Sequence, residues 1–327
     1  MNIRCRRTPL ALCSALLALA ASEAGAAQYG SWGDAVPEPG PLVNVAGVGN
    51  GCPIESKNGL DLYIASTRGT GKHDIFRASR PYVGAEFDRI ERLDAPVNEP
   101  GSWEYCPTPL QGNWLLFVSS RVTDDDCFPG DAEPGGSPPA GDIYLTRRSP
   151  ATGEWDEPLN LGCLAAGGPN TAGHEFSPSL VETAQGTFLY FSSNGYPDDG
   201  LPNKGGHDIY VSRVYADGTV GPGRRVVELS GMLADGSPAQ DLMPNVRKDG
   251  LEIVFSSNRV NGGGDHDIFV STRSSTDRPW SPPVRISNPS INTTSGETRA
   301  SLSGDGTRLH FGRDNVIYVS TRLKNGK

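Results

Sequence analysis

The sequence predicts an all-β fold: a five-bladed β-propeller of four-stranded antiparallel blades, with the last blade closed by the N-terminal strand. Three observations carry this. Of 327 residues, 41 are Gly and 27 are Pro, both helix breakers, and no helical or heptad period runs through the chain. One phrase recurs in order, four times in full and a fifth time in a weaker form: an apolar strand ending in small or Ser residues, a Gly- and Asp-rich loop, then an Asp-Ile-aromatic strand. The fifth copy lacks its fourth strand, and a lone segment with that strand's signature stands near the N-terminus.

In chain order, the first residues read as an export signal rather than as fold. Arg4, Arg6 and Arg7 precede an apolar stretch from Leu10 to Ala21, and Ala24-Gly25-Ala26 fits a small-x-small cleavage site. Residues 1–26 are therefore expected to be removed after Ala26. Residues 27–327 would then form one propeller domain, periplasmic or secreted. Trp32-Gly33-Asp34-Ala35-Val36 with Leu42-Val43-Asn44-Val45 is the stray outer strand. It is expected to pair near Val316–Arg322 and so remove a free sheet edge.

The first copy runs Leu62–Ser66 and then His73-Asp74-Ile75-Phe76. The second runs Leu116–Ser120 and then Asp142-Ile143-Tyr144; the third, Leu189–Ser193 and His207-Asp208-Ile209-Tyr210. The fourth runs Ile253–Ser257 and His266-Asp267-Ile268-Phe269; the weaker fifth, Leu309–Phe311 and Val316-Ile317-Tyr318. Upstream, an acid-x-x-Pro opens the innermost strand at Glu104…Pro107, Glu175…Pro178 and Asp241…Pro244, with degenerate forms at Asn50…Pro53 and Glu297…Ala300. Downstream, Phe87, Trp155 and Trp280 mark the outermost strand. Each unit thus holds four short strands, A to D from the axis outward, alternating and rich in β-branched and aromatic residues. Units of this kind are propeller blades.

Strand order places the D–A and B–C loops on one face. Glu104, Glu175, Asp241 and Glu297 stand at the channel mouth on that face. As a functional ring they would bind a polar ligand or a cation, with Ca2+ the hard cation that clustered oxygens suit. The repeat itself favours the plainer reading. Asp74, Asp142, Asp208 and Asp267, with Arg68, Arg121 and Arg259, recur blade by blade as fastenings within and between blades. His73, His207 and His266 occupy equivalent positions in separate blades, far from a common centre, and read as turn residues rather than a zinc site. Asp124-Asp125-Asp126 and Asp198-Asp199-Gly200 resemble calcium-loop fragments without the closing Glu. No metal and no cofactor is assigned. The longest B–C insertions, Val122–Gly141 and Gly195–Gly206, turn attention on this face toward blades two and three.

The four cysteines outside the leader, Cys52, Cys106, Cys127 and Cys163, admit three pairings. Cys52 and Cys106 both stand before the strand-A Pro of neighbouring blades, while Cys127 and Cys163 leave loops of blade two. These positions favour Cys52–Cys106 and Cys127–Cys163.

Trp155-x-x-Pro158-x-Asn160-Leu161-Gly162, Glu175-x-x-Pro178, Leu189–Asn194 and Gly205–Tyr210 together resemble the TolB-like, WD40-like β-propeller repeat. The form is that of bacterial envelope proteins, which often add an OmpA-type peptidoglycan-binding domain. No such domain follows the propeller in this sequence, so peptidoglycan anchoring is not implied. The resemblance implies a non-catalytic, exported scaffold that binds an envelope protein or a small polar ligand. The alternative is a glycoside hydrolase or sugar-binding propeller that uses the channel-mouth carboxylates, since five-bladed propellers also house glycosidases. A net charge of −9 argues against nucleic acid, and no apolar run past the leader spans a bilayer. The chain is expected to act as a monomer.

Overall fold

The Asp-Ile-aromatic phrase becomes the third strand of a blade, because its alternating side chains fill both sides of a sheet covered by neighbouring blades. The computed structural model describes residues 29–128, 140–260 and 265–325. The expected leader lies outside them. After β1 (Val36–Pro37), blade one is β2 (Asn50–Glu55), β3 (Asp61–Ser66), β4 (Asp74–Ser79) and β5 (Arg89–Arg92). Blade two is β6 (Glu104–Pro109), β7 (Trp114–Ser119), β8 (Asp142–Arg147) and β9 (Leu159–Asn160). Blade three is β10 (Glu175–Thr183), β11 (Gly186–Ser193), β12 (Asp208–Val214) and β13 (Arg224–Arg225). Blade four is β14 (Asp241–Val246), β15 (Glu252–Ser257), β16 (Asp267–Thr272) and β17 (Val284–Arg285). Blade five is β18 (Glu297–Leu302), β19 (Arg308–Arg313), β20 (Val316–Thr321) and, as its outer strand, β1. All pairings within the sheets are antiparallel. The predicted five-bladed propeller is the observed fold.

Closure follows the expected register. Val36 pairs with Val319 and Pro37 with Tyr318. The ladder is short, but the strap around it is longer: Gly30 and Gly33 donate to the carbonyls of Leu323 and Thr321, each at 2.8 Å. Trp32 packs on the blade-five cluster of Phe311, Leu309 and Ile291, and the Arg322 guanidinium lies over its ring at 4.2 Å.

Much of the apolar core lies between blades. Phe117 and Tyr144 of blade two pack on Ile54, Tyr63 and Ile75 of blade one. Phe255, Phe269 and Trp280 of blade four pack on Tyr190 and Ile209 of blade three. Hydrogen bonds repeat the same seam. The first amide of each innermost strand donates to the residue just before the third strand of the preceding blade. These bonds run Glu104 to His73 (2.8 Å), Glu175 to Gly141 (3.3 Å), Asp241 to His207 (2.9 Å), Glu297 to His266 (2.7 Å) and, across the closure, Asn50 to Asn315 (3.2 Å).

Each innermost strand carries a bulge at one place, between Gly51 and Ile54, Tyr105 and Thr108, Phe176 and Ser179, Leu242 and Asn245, and Thr298 and Ser301. The bulged residue is left-handed in all five: Cys52 (φ 50°), Cys106 (49°), Ser177 (55°), Met243 (58°) and Arg299 (50°). The Pro next in sequence in four blades has no N–H to withhold from the ladder, so the acid-x-x-Pro motif is the sequence form of the bulge.

Cys52 bonds to Cys106 and Cys127 to Cys163, with Cα separations of 4.8 and 5.3 Å. The pairing is the favoured one of the three. The first bridge joins the bulges of blades one and two; the second closes the B–C loop of blade two onto its exit loop. Two disulfides mark an oxidising, exported environment. No helix among the described residues is long and apolar enough to cross a membrane.

Candidate functional site

The four acids of the expected ring open β6, β10, β14 and β18, and all four are fully buried. Glu104 Oε1 accepts from Ser102 (2.5 Å) and Ser119 (2.9 Å) and lies 3.6 Å from Arg121 Nη2. Glu175 accepts from Thr171 (2.5 Å) and Ser193 (2.7 Å). Asp241 accepts from the Gly231 amide (2.7 Å) and pairs with Arg259. Glu297 accepts from Thr293 (2.6 Å) and lies 3.4 Å from Arg313. In blade one Asn50 takes the same place and accepts from Ser66 and Arg68. Each of the five is thus engaged by its own blade or by the loop that leads into it. Burial pushes the Glu104 carboxyl up to about 7 and Glu175 up to about 8, and the hydroxyls offset only part of this.

The repeated arginines reach past the acids to the loops that enter the innermost strands. Arg68 donates to the carbonyls of Leu42 (2.9 Å) and Val43 (2.7 Å), Arg121 to Pro96 (3.1 Å) and Val97 (2.7 Å), and Arg259 to Leu229 (2.7 Å). The repeated aspartates tie the third strand to the outermost strand or to an adjoining loop. Asp74 holds Arg92 through two bonds of 2.8 and 2.9 Å, and Asp267 holds Arg285 at 2.7 Å. Asp142 accepts from Asn160 and the Cys127 amide, both at 2.8 Å, and Asp208 accepts from Ser230 at 2.8 Å. Asn98, Asn170, Asn292 and Asn44 add a fastening that the repeated phrase does not include. Each brackets both backbone groups of one third-strand Ile, namely Ile75, Ile143, Ile268 and Ile317. Its signal is an Asn recurring in the loop between D and A of four blades.

A cavity of about 320 Å³ opens at the channel mouth. Its walls come from the residue after the acid, which differs from blade to blade: Tyr105 and Phe176 on one side, Gly51 and Thr298 on the other. A Cβ built on Gly51 meets nothing within 4 Å, so this glycine is what leaves that side open. The floor holds the bulge residues Cys52, Cys106, Met243 and Arg299; the rim holds Asn50, His73, Asp314 and Asn315. Blade five reaches this edge through a two-residue turn at Asp314 and Asn315, both at positive φ. None of Glu104, Glu175, Asp241 and Glu297 lines the cavity. Among the described residues Asp314 is the single lining carboxylate, and it accepts from Ser295 at 2.9 Å.

Arg299 stands in a degenerate copy of the acid-x-x-Pro motif, where recurrence gives no reason to single it out. It is 1% exposed. Its Nη2 crosses from blade five to the Pro107 carbonyl (3.4 Å) and the Thr108 hydroxyl (3.2 Å) of blade two. Among the described residues Nε and Nη1 have no hydrogen-bond partner. Burial lowers its pKa to about 9. The signal in the sequence is a charged residue where the other four blades hold Cys, Cys, Ser and Met.

The histidines sit in separate blades, as their repeat positions require, but they are not all isolated. His174, which lies outside the repeated phrase, stands 6.3 Å from His207 between ring centroids, with Phe176 against both. Burial, then His174, His266 and Lys204, hold His207 down to about 4. Among the described residues no three His, Cys, Asp or Glu come together to hold a metal. Of the two long insertions, Gly195–Gly206 is pinned by Asp199, which grips Arg225 through two bonds of 2.8 Å. That pair lowers the Asp199 carboxyl to about 2. Val122–Gly141 lies partly outside the described residues. The cavity itself leans toward blades five and one rather than toward these loops.

No family model matches the sequence, and no curated protein matches it. Among solved structures, a thermostable family-43 glycoside hydrolase is similar at 14% identity and a TM-score of 0.54, over 86% of this chain and 92% of that one. An α-L-arabinofuranosidase from Lactobacillus brevis is similar at 14% identity and 0.54, over 87% and 94%. A putative TolB from Agrobacterium tumefaciens is similar at 16% identity and 0.43, over 87% and 79%. At these identities the likeness is one of fold, and the fold is a β-propeller.

Proposed function

We propose that this chain is an exported, non-catalytic propeller that binds a small polar ligand, or a projecting group of an envelope protein, in its channel-mouth cavity. The observation that carries the reading is the division of labour at the mouth. The repeated acids are buried and engaged by their own blades, while the cavity beside them is walled by residues that break the repeat. Concave sites with a few polar groups among aromatic walls are the usual form of a small-molecule site. Glycoside hydrolysis needs two carboxyls facing the substrate, roughly 5–10 Å apart. Among the described residues the lining offers one carboxylate, Asp314, rather than a facing pair.

The test is a panel of sugars, sugar acids, amino acids and organic acids, read by thermal melting of the wild type and of Gly51→Phe. The built Cβ of Gly51 faces open space, so the ring fills the cavity without disturbing the strand. At least one compound should raise the wild-type melting temperature by roughly 2–4 °C and leave Gly51→Phe unmoved. Equal shifts in both proteins, no shift across the panel, or release of nitrophenol from nitrophenyl glycosides would each overturn the reading.

A further inference from the structure

We propose that the channel-mouth cavity takes a carboxylate carried on a six-membered ring, with the carboxylate drawn to Arg299 and the ring set against Tyr105 and Phe176. This rests on the binding reading above and names the chemistry of its ligand.

The five blades supply an internal control for Arg299. All five bulges have the same left-handed backbone, and four of them are built without a charge, from Cys52, Cys106, Ser177 and Met243. The fold therefore does not need a guanidinium at this place. A buried cation that loses its hydration ordinarily gains a carboxylate in exchange. Arg299 makes two long bonds to neutral oxygens from one nitrogen, and its Nε and Nη1 make none. Among the described residues no carboxylate pairs with Arg299; the lining acid, Asp314, is engaged by Ser295 at 2.9 Å. Bonds of 3.2 and 3.4 Å are weak enough for the side chain to swing toward an anion entering above it. The planar fork of Arg matches the two oxygens of a carboxylate.

The rest of the cavity sets the body of the ligand. Tyr105 and Phe176 have ring centroids 5.7 Å apart, with planes tilted by 45°, and form an aromatic corner for a single ring to rest against. Opposite them Gly51 and Gly312 leave room, and Asn315 brings an amide to the rim. A space of about 320 Å³ lies at the small end of ligand sites and suits one ring rather than a chain of them. Arg313, also on the wall, adds a second positive group, partly offset by Glu297 at 3.4 Å.

The probes are benzoate and galacturonate, each beside its neutral counterpart, benzyl alcohol and galactose, with inorganic phosphate as a further anion. Binding is read by melting and by titration calorimetry on the wild type, Arg299→Met, Arg299→Lys and Gly51→Phe. At least one of the two acids should bind, its neutral counterpart should not, and which acid binds separates an aromatic from a sugar ligand. Arg299→Met should weaken the acid ~10–100-fold, and Arg299→Lys should keep part of the affinity. Arg299→Met should melt no lower than the wild type, because an apolar chain replaces an incompletely bonded buried charge. The inference is overturned if neither acid binds, if acid and neutral partner bind alike, if phosphate binds as well as the acids, or if Arg299→Met retains full affinity. Binding that Gly51→Phe abolishes and Arg299→Met does not would leave the cavity reading standing and remove the carboxylate.

Discussion

Single positions in this propeller divide into those the repeat dictates and those it leaves free. Glu175 belongs to the first kind, and its environment makes a testable statement about pH. Burial holds its carboxyl at about 8 against an ordinary 4.5. The folded chain therefore keeps a proton that the unfolded chain releases across that window. The resulting stability is fully present below about 4.5 and is lost as pH rises through 8. Glu175→Gln should flatten the fall between pH 5 and 8 by roughly 1 kcal/mol per pH unit and melt higher than the wild type at pH 8.5. Urea melts across that range would show it, and parallel profiles for the two proteins would refute it. The acids are legible in the sequence because they recur. Arg299 and Gly51 are not, because recurrence discards whatever one copy does alone, and the cavity is made of such departures.

Strands and loops are held by a clasp that the sequence shows only in outline. The repeated Arg is visible, but its partners are not, since they are loop carbonyls such as Pro96 and Val97 with no side-chain signature. Arg121 is the best-buried example, and it also lies 3.6 Å from Glu104 and 5.3 Å over Phe117. Arg121→Ala should cost about 3 kcal/mol in urea unfolding, since it leaves a buried acid and two carbonyls short of a donor. A loss under about 1 kcal/mol would mean that water replaces the clasp. The strands themselves are legible for a simple reason. Period-two alternation survives in every copy and the Asp-Ile-aromatic triplet in four of them, whereas the left-handed bulge shows in sequence only through the Pro after it.

At the scale of the ring, blade number and closure come from counting copies and noticing what the last one lacks, and both disulfides from where the cysteines stand within the copies. Deleting residues 29–46 should expose the outer edge of β20 and the buried side chains that Trp32 and Val43 cover. Lower melting temperature and self-association in size-exclusion chromatography are expected. An unchanged monomer of unchanged stability would contradict the closure. The same strap has a consequence in time. A ribosome makes β1 before the other described strands and β20 after them. Four blades can assemble as hairpins while the nascent chain lengthens, because their strands are neighbours in sequence. Val36, however, has no partner until Val319 exists. The first of these strands to be made is thus the last to be placed, and a chain cut short of Val319 cannot finish the circle.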